Sequence, residues 1–270
     1  MKRGSPSARL DTELLIGHAL SLKRLDLYLD LDRVLGDGEL SRCRDLVKRR
    51  GAGEPVAYIL GHREFYGLDF IVDAAVLIPR PDTERLVELA LQALDDADID
   101  EGTIIDVGTG SGCVALSIIA QREGLRAVAV DISPAALVVA KKNAVALGIA
   151  DRIEFRLGDL LAPCADVVGA ALIVSNPPYV QRGSADLAAD VKAFEPALAL
   201  YGIDDDALGH HRRIVAAAGK HLSPVGQVLL EIGADQGERA KTLLFPPFTS
   251  VRVERDLDGR DRIVVLSRAP

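Results

Sequence analysis

Cysteine is scarce in this 270-residue chain: Cys43, Cys113 and Cys164 are few, odd in number and far apart. They form no CxxC pair and no metal-like spacing. That argues against a disulfide scaffold or a zinc site and fits a reducing intracellular compartment. Excess positive charge is also lacking. The net charge is −8, whereas a broad nucleic-acid footprint shows as a basic patch or a high pI. A local basic groove is still compatible with that balance. No apolar run approaches the ~20 residues of a membrane span. The N-terminal MKRGSPSARLDTELL is basic but has no apolar h-region, so it does not read as a signal peptide. Internal repeats and low-complexity tracts are not seen. These absences leave a soluble, cytoplasmic protein. Its hydrophobic content of 49% supports a real core, and its length allows one large domain or a large one with a small one.

Residues 9–50 carry helical spacing and no β pattern; Leu10, Leu14, Leu15 and Ala19 recur along the first segment. In LSRCRDLVKRR, Ser41 is a cap candidate, and Arg49 and Arg50 read as surface charge compensating a helix C-terminus. Residues 61–78 change character: Phe65, Leu68, Phe70 and Val72 around Gly67 predict a short hairpin linking two parts. IPRPDTERLVELALQAL then starts a helix, with Asp82 or Thr83 as cap and Leu86, Leu89, Ala90 and Ala93 inward. From residue 103, strands and helices alternate: TIIDV, RAVAVDI, RIEFRLGD, ALIVSN and GQVLLEIG are strands, with helices after GTGSG, at Pro134 and over DALGHHRRIVAAAGKHL. The chain ends in two strands around Asp258-Gly259, a hairpin signal. Such alternation predicts an α/β, doubly wound, mostly parallel sheet to which the terminal hairpin adds one antiparallel strand.

The first strand of this part runs into Asp106-Val-Gly-Thr-Gly-Ser-Gly112, a glycine-rich turn that lets backbone approach a ligand closely before a helix N-terminus. Asp131 closes the second strand, where a ribose-binding carboxylate belongs in such folds. A tight strand-to-helix connection, and a helix cap at Asp131, are the plainer alternatives. A dinucleotide fingerprint places its third Gly or Ala where Cys113 stands, so that pattern fits poorly. Gly108, Gly110 and Gly112, with Thr109 and Ser111 between them, instead follow the Gly-x-Gly-x-Gly spacing of S-adenosylmethionine enzymes. Asp159, ending the third strand, can accept a hydrogen bond from an adenine amine.

The fourth strand ends in Asn176-Pro177-Pro178-Tyr179. Proline cannot donate to a strand ladder, so the strand stops there. In a parallel sheet this end shares its edge with the glycine loop, where ligands bind. An amide nitrogen is a poor nucleophile because its lone pair is delocalised. To attack a sulfonium methyl it must be held in line with its N–H bonds pinned. Asn176 offers a side-chain acceptor, and Pro177 a carbonyl without an N–H. Two acceptors can hold two N–H groups and favour the charge arriving on nitrogen. Pro178 stiffens the turn, and Tyr179 presents a flat ring for a planar group. These residues point to methylation of a planar nitrogen; they do not separate an exocyclic base amine from a carboxamide.

The sequence resembles the HemK/PrmC family of peptide-chain release factor glutamine N5-methyltransferases, class I S-adenosylmethionine-dependent enzymes, over nearly its whole length. The matching stretches are RLDTELL, RRGAGEPVAYILGHREFYGLDF, VLIPRPDTE, residues 104–120, VSNPPY and FEPALAL. The resemblance implies a Rossmann-like methyltransferase sheet with a small N-terminal helical domain. It implies a helical docking domain over residues 1–60, a hairpin linker over 61–80 and a catalytic domain over 81–270. It also implies S-adenosyl-L-methionine as cofactor, S-adenosyl-L-homocysteine as product, no metal, and the Gly-Gly-Gln glutamine of a release factor as substrate. Gly108 to Gly112, Asp131, Asp159 and Asn176 match cofactor-contacting positions, and Asn176 to Tyr179 the glutamine clamp. Arg80 and Glu84 lie in the IPRPDTE signature, where substrate contact and a salt-bridged structural role are both open. Phe194-Glu195-Pro196 would shape the pocket wall.

Two departures stand out. Family members usually carry a helix before the RLDTELL-like segment, and here only residues 1–8 precede it, which leaves open both a trimmed docking domain and a sequence that starts late. The loop YGIDDDAL replaces a common Gly-Asp-Gly-Leu-like turn, so its geometry should differ. Two other readings compete. An adenine N6-methyltransferase acting on nucleic acid would need a target-recognition domain or a basic stripe. A non-catalytic binding module would show degraded cofactor or amide-binding residues.

Overall fold

The structure, a computed structural model, describes residues 7–30, 32–184 and 187–268. The start of the N-terminal stretch, residues 1–6, lies outside the described residues. Helices come first: α1 (Ala8–Leu20), α2 (Asp26–Leu29), α3 (Asp37–Gly51) and α4 (Val56–Leu60). A hairpin of β1 (His62–Phe65) and β2 (Leu68–Ile71) follows, then α5 (Glu84–Asp96). Next come β3 (Glu101–Val107), α6 (Cys113–Gln121), β4 (Gly124–Asp131), α7 (Pro134–Ala146), β5 (Ile153–Leu157) and β6 (Ala170–Ser175). The last part holds α8 (Ala189–Phe194), α9 (Ala197–Leu200), α10 (Gly209–Ala218), β7 (Leu222–Glu231), α11 (Gly237–Ala240), β8 (Ser250–Arg255) and β9 (Asp261–Ser267).

The chain divides into two compact units, residues 1–62 with 188–194, and residues 63–187 with 195–270. The hairpin thus falls almost wholly in the second unit and α8 in the first. In the first unit, Leu15, Ala19, Cys43 and Ile59 are buried. Two sequence expectations change there. Ser41 lies inside α3 and caps nothing; the helix starts at Asp37, where Glu39 Oε2 accepts from the Gly36 amide at 3.1 Å. Arg50 is more than surface charge. Its Nε donates to Oδ2 of the buried Asp11 at 2.8 Å, and the Ser7 hydroxyl bonds the other oxygen at 2.8 Å. A buried carboxylate needs such partners.

In the second unit seven strands form one sheet in the order β5-β4-β3-β6-β7-β9-β8. β3 pairs in parallel with β4 and β6, β6 with β7, and β9 alone runs against its neighbours. β6 is buried at every residue, as a central parallel strand covered on both faces must be. Ile104, Leu172 and Val174 pack on one face with α5 and α6, and Ile105, Ile173 and Val228 on the other with α10. The hairpin turns at Tyr66 and Gly67, both at positive φ, and Phe65 meets Phe70 edge-on at 6.1 Å. The strand order reverses between β3 and β6, so the loops leaving these strands flank the crevice in which such sheets bind ligands.

The acidic loop is built from its own aspartates. Asp204 Oδ1 accepts from Gly209 N at 3.0 Å and Asp206 Oδ1 from Leu208 N at 3.1 Å, so both serve the start of α10. Arg212 Nη1 donates to Asp204 Oδ2 and Asp206 Oδ1, each at 2.9 Å. Ala207 takes φ +56, and a Cβ on Gly202 would stand 2.6 Å from Ala207 Cα. Gly202→Ala should therefore cost about 2–3 kcal/mol through overpacking. Thermal unfolding should show a midpoint lower by about 6 °C.

Candidate active site

Ser175, the last residue of β6, donates its hydroxyl to the carbonyl of Val107, the last residue of β3, at 2.5 Å. This bond draws the two strand ends together, and one cavity opens beyond them. Gly108, Thr109, Gly110, Ser111, Asp131, Asp159, Asn176, Pro177, Pro178 and Arg80 all line it. Gly112, Tyr179 and Glu84 stand outside the lining.

The glycine loop takes left-handed backbone at Gly108, Gly110 and Gly112, with φ of +72, +57 and +83. A Cβ on Gly108 or Gly110 would meet nothing within 4 Å, so this stretch of backbone borders open space. Gly112 differs: a Cβ there would reach Leu116 Cδ1 at 2.9 Å, so the third glycine is needed for packing under the loop. The amides of Gly108 and Thr109 bond the Val130 carbonyl at 2.8 and 2.9 Å. Asp131 Oδ2 accepts from Gly110 N, and its Oδ1 from Ser133 N, both at 2.8 Å. Ser133 Oγ, not Asp131, caps α7 by accepting from Ala136 N at 3.2 Å. Beside Asp131, Ile132 is 52% exposed and lines the cavity with Leu160. Asp159 also lines it while Arg213 Nη2 donates to its Oδ2 at 2.5 Å.

At the other wall, Asn176 Nδ2 donates to Thr83 Oγ1 at 3.1 Å, which leaves Oδ1 as the free acceptor. Thr83 does not cap α5 as its place in the sequence suggests; a 3₁₀ turn over Pro81–Thr83 leads into that helix. The Tyr179 hydroxyl donates to Glu231 Oε1 at 2.9 Å. Burial, then that carboxylate, push the phenol's pKa up, so Tyr179 stays neutral. Arg80 Nη2 donates to Oε1 of the buried Glu195 at 2.5 Å, and Glu195 Oε2 accepts from Ile78 N at 3.2 Å. Glu84 Oε1 accepts from the Tyr66 amide at 3.0 Å, holding the hairpin turn.

Further buried residues brace the site. Asn143, fully buried, donates to the Ser111 carbonyl at 2.8 Å and exchanges hydrogen bonds with the Ile71 backbone. Gln236 Nε2 donates to the Tyr179 carbonyl at 3.0 Å. Asp106, buried at the loop's root, accepts from the Thr109 hydroxyl at 2.7 Å. Burial pushes its carboxyl up to about 7. Unfolded, it titrates near 3.8. Its contribution to stability is therefore complete below about pH 4 and is lost as pH rises to about 7, at about 1.4 kcal/mol per unit. Asp106→Asn should flatten that dependence, checked by denaturant unfolding from pH 5 to 8. Burial also pushes the Cys113 thiol up to about 12, which makes it inert.

A parallel sheet reversed at β3 and β6, with a glycine loop and an Asn-Pro-Pro-Tyr turn facing one cavity, defines an S-adenosylmethionine-dependent methyltransferase. The family described as the methyltransferase small domain matches residues 84–200, and the PrmC N-terminal domain matches residues 1–61. The release factor glutamine methyltransferase of Moorella thermoacetica is 43% identical over 268 residues, 98% of this chain and 93% of its own length. That of Nitratidesulfovibrio vulgaris is 40% identical over 265 residues, 96% of this chain and 88% of its own. The chain belongs to the release factor glutamine methyltransferase family. Among solved structures, the N-terminal domain of human METTL16 in complex with SAH has the same fold. It superposes with a TM-score of 0.54 over 83% of this chain and 84% of its own, at 19% identity.

Proposed function

We propose that the protein methylates the side-chain amide nitrogen of the glutamine in the Gly-Gly-Gln motif of a peptide-chain release factor. One observation carries this reading: Asn176 lines the cavity with Nδ2 committed to Thr83 and Oδ1 free. A free acceptor there suits an N–H of a carboxamide.

The residues across the cavity fit S-adenosyl-L-methionine. Gly108 and Gly110 offer backbone with open space in front of it, suited to the methionine tail. Asp131 keeps lone pairs beyond its two backbone bonds for ribose hydroxyls. Ile132 and Leu160 supply apolar walls for a base, and Asp159 an acceptor for its amine. When bound, the cofactor supplies an electrophilic methyl group on a sulfonium.

Asn176 Oδ1 and the Pro177 carbonyl hold the two amide protons of the glutamine, so its nitrogen faces the methyl donor. Orientation of this kind supplies a large part of such a barrier. The same acceptors favour positive charge developing on that nitrogen. No base need act first, since the proton leaves after attack, to water or an acceptor. Tyr179 supports the clamp from behind through its hydroxyl. Arg80 and Glu84, bonded to Glu195 and to the hairpin, serve as supports of the wall, which favours the structural side of the alternatives open to them.

We assign docking of the substrate protein to the helical unit around residues 1–60, linkage to residues 61–80 and chemistry to residues 81–270. Among the described residues no helix is long and apolar enough to cross a membrane; we place the reaction in the cytoplasm, on the free factor. The test is transfer of labelled methyl from S-adenosylmethionine to purified release factor, beside a factor whose Gly-Gly-Gln glutamine is alanine and beside DNA. Label on the first alone is expected. Equal label on both factors, or label on DNA instead, overturns the proposal.

A further inference from the structure

Among the described residues, two large apolar side chains both line the cavity and are more than half exposed: Ile132, beside Asp131, and Leu198, on α9, at 59%. The place of Leu198 follows from two sets of ties. The amide of Val180, the residue after Tyr179, donates to the Leu200 carbonyl at 3.0 Å. The Gly202 amide donates back to the Val180 carbonyl, also at 3.0 Å. α9 is therefore hung directly on the end of the Asn-Pro-Pro-Tyr turn. At its start, the buried Glu195 accepts from Arg80 and from the Ile78 amide. Residues 196–199 and 77–80 are thus fastened into one wall. Leu77, Pro79, Pro196, Leu198 and Ala199, which line the cavity from it, are all apolar. Leu198 is the member of that wall left most open to solvent, so it marks the mouth at the clamp end.

We propose that Leu198 is a specificity-determining residue that packs on the release-factor backbone beside the methylated glutamine. The inference rests on the methyl-transfer reading above. An exposed leucine is ordinary on an open surface; this one stands where the substrate must pass. A glutamine amide is only a short side chain away from its own backbone. With that amide held at Asn176 and Pro177 inside the cavity, the backbone lies at the mouth. The residues before the glutamine are glycines, so their backbone is bare. An apolar side chain can lie flat against it and remove its own surface from water. Covering about half of a leucine in this way is worth about tenfold in affinity. A side chain on the neighbouring glycine would compete for the volume that Leu198 fills. Leu198 therefore selects for a bare backbone at this point, a property that the amide-holding residues cannot read.

The contact is tested with Leu198→Ala, Leu198→Asp and Leu198→Met in the full chain. KM for release factor should rise about tenfold with alanine and about 30-fold with aspartate, and stay within about threefold with methionine. In all three, kcat at saturating factor and S-adenosylmethionine affinity by calorimetry should stay within about threefold, because the lost contact serves ground state and transition state alike. The thermal midpoint should not move, since the side chain is exposed. A second substrate makes the contact specific: a release factor with alanine in place of the glycine just before the glutamine. Its KM should rise about tenfold on the wild type. On Leu198→Ala, which vacates the space, the two factors should differ by less than threefold. An unchanged KM in Leu198→Asp overturns the inference, and so do losses that multiply in the cycle. Cofactor affinity that falls in step with KM places Leu198 at the cofactor end and overturns it as well. Failure of the wild type to label release factor counts against the function. A wild type that labels it, beside Leu198→Asp with the same KM, counts against this contact alone.

Discussion

Replacing Asn176 by alanine is expected to lower methyl transfer by about 10²–10³-fold while S-adenosylmethionine still binds. The asymmetry follows from where the side chain is tied. Asn176 is held by Thr83, whereas the loop's own fastenings run to Val130, Asp131 and Asn143. Removing the amide leaves all of those in place. What disappears is one of the two acceptors that orient the glutamine nitrogen, and with it the stabilisation of charge arriving there. The measurement is kcat with saturating release factor, beside a calorimetric titration of the cofactor. Parallel loss of cofactor binding would mean that Asn176 serves the cofactor or the fold and not the transfer.

The parts of this site that follow from local chain chemistry are legible in the sequence. A glycine run after a strand, a Ser-Pro helix start and a proline-stopped strand each state their geometry within a few residues. Topology then brings them together, because alternating strands and helices leave few arrangements, and the terminal hairpin adds β9 against the rest. The unread parts are long-range. Asn143 acts on Ser111 and Ile71, 32 and 72 positions away, and Asn176 meets Thr83 across 93. No periodicity encodes such pairs. Thr83 reads locally as a helix cap, and the tertiary partner takes its hydroxyl instead. Arg50 reads as a basic last turn, and a buried aspartate 39 positions away claims it. One signal was available: GQVLLEIG places a charge at the C-terminal end of an apolar strand, the edge at which these sheets bind. A carboxylate there calls for a partner, and the Tyr179 hydroxyl is one.

Asp131→Asn should weaken S-adenosylmethionine binding by about 100-fold, roughly 2.7 kcal/mol, with little loss of stability. Each carboxylate oxygen of Asp131 accepts a backbone N–H, from Gly110 on one side and Ser133 on the other. Asparagine has one acceptor and one donor. Whichever way it sits, its NH₂ meets an N–H, and one of the two bonds becomes a repulsion. If Gly110 is released, the loop loses the tie that holds its open backbone toward the cavity; if Ser133 is released, the entry to α7 loosens. The negative charge offered to ribose hydroxyls goes as well, and charge-assisted hydrogen bonds are about twice as strong as neutral ones. Stability changes little for a physical reason: burial raises the pKa of Asp131, so the folded state holds this carboxylate at a cost at neutral pH. A neutral amide escapes that cost and offsets part of the lost bond. Calorimetric titration with the cofactor beside thermal unfolding without it separates the two effects. Affinity within about threefold of wild type would remove Asp131 from the cofactor site and leave it as a tie between the glycine loop and α7.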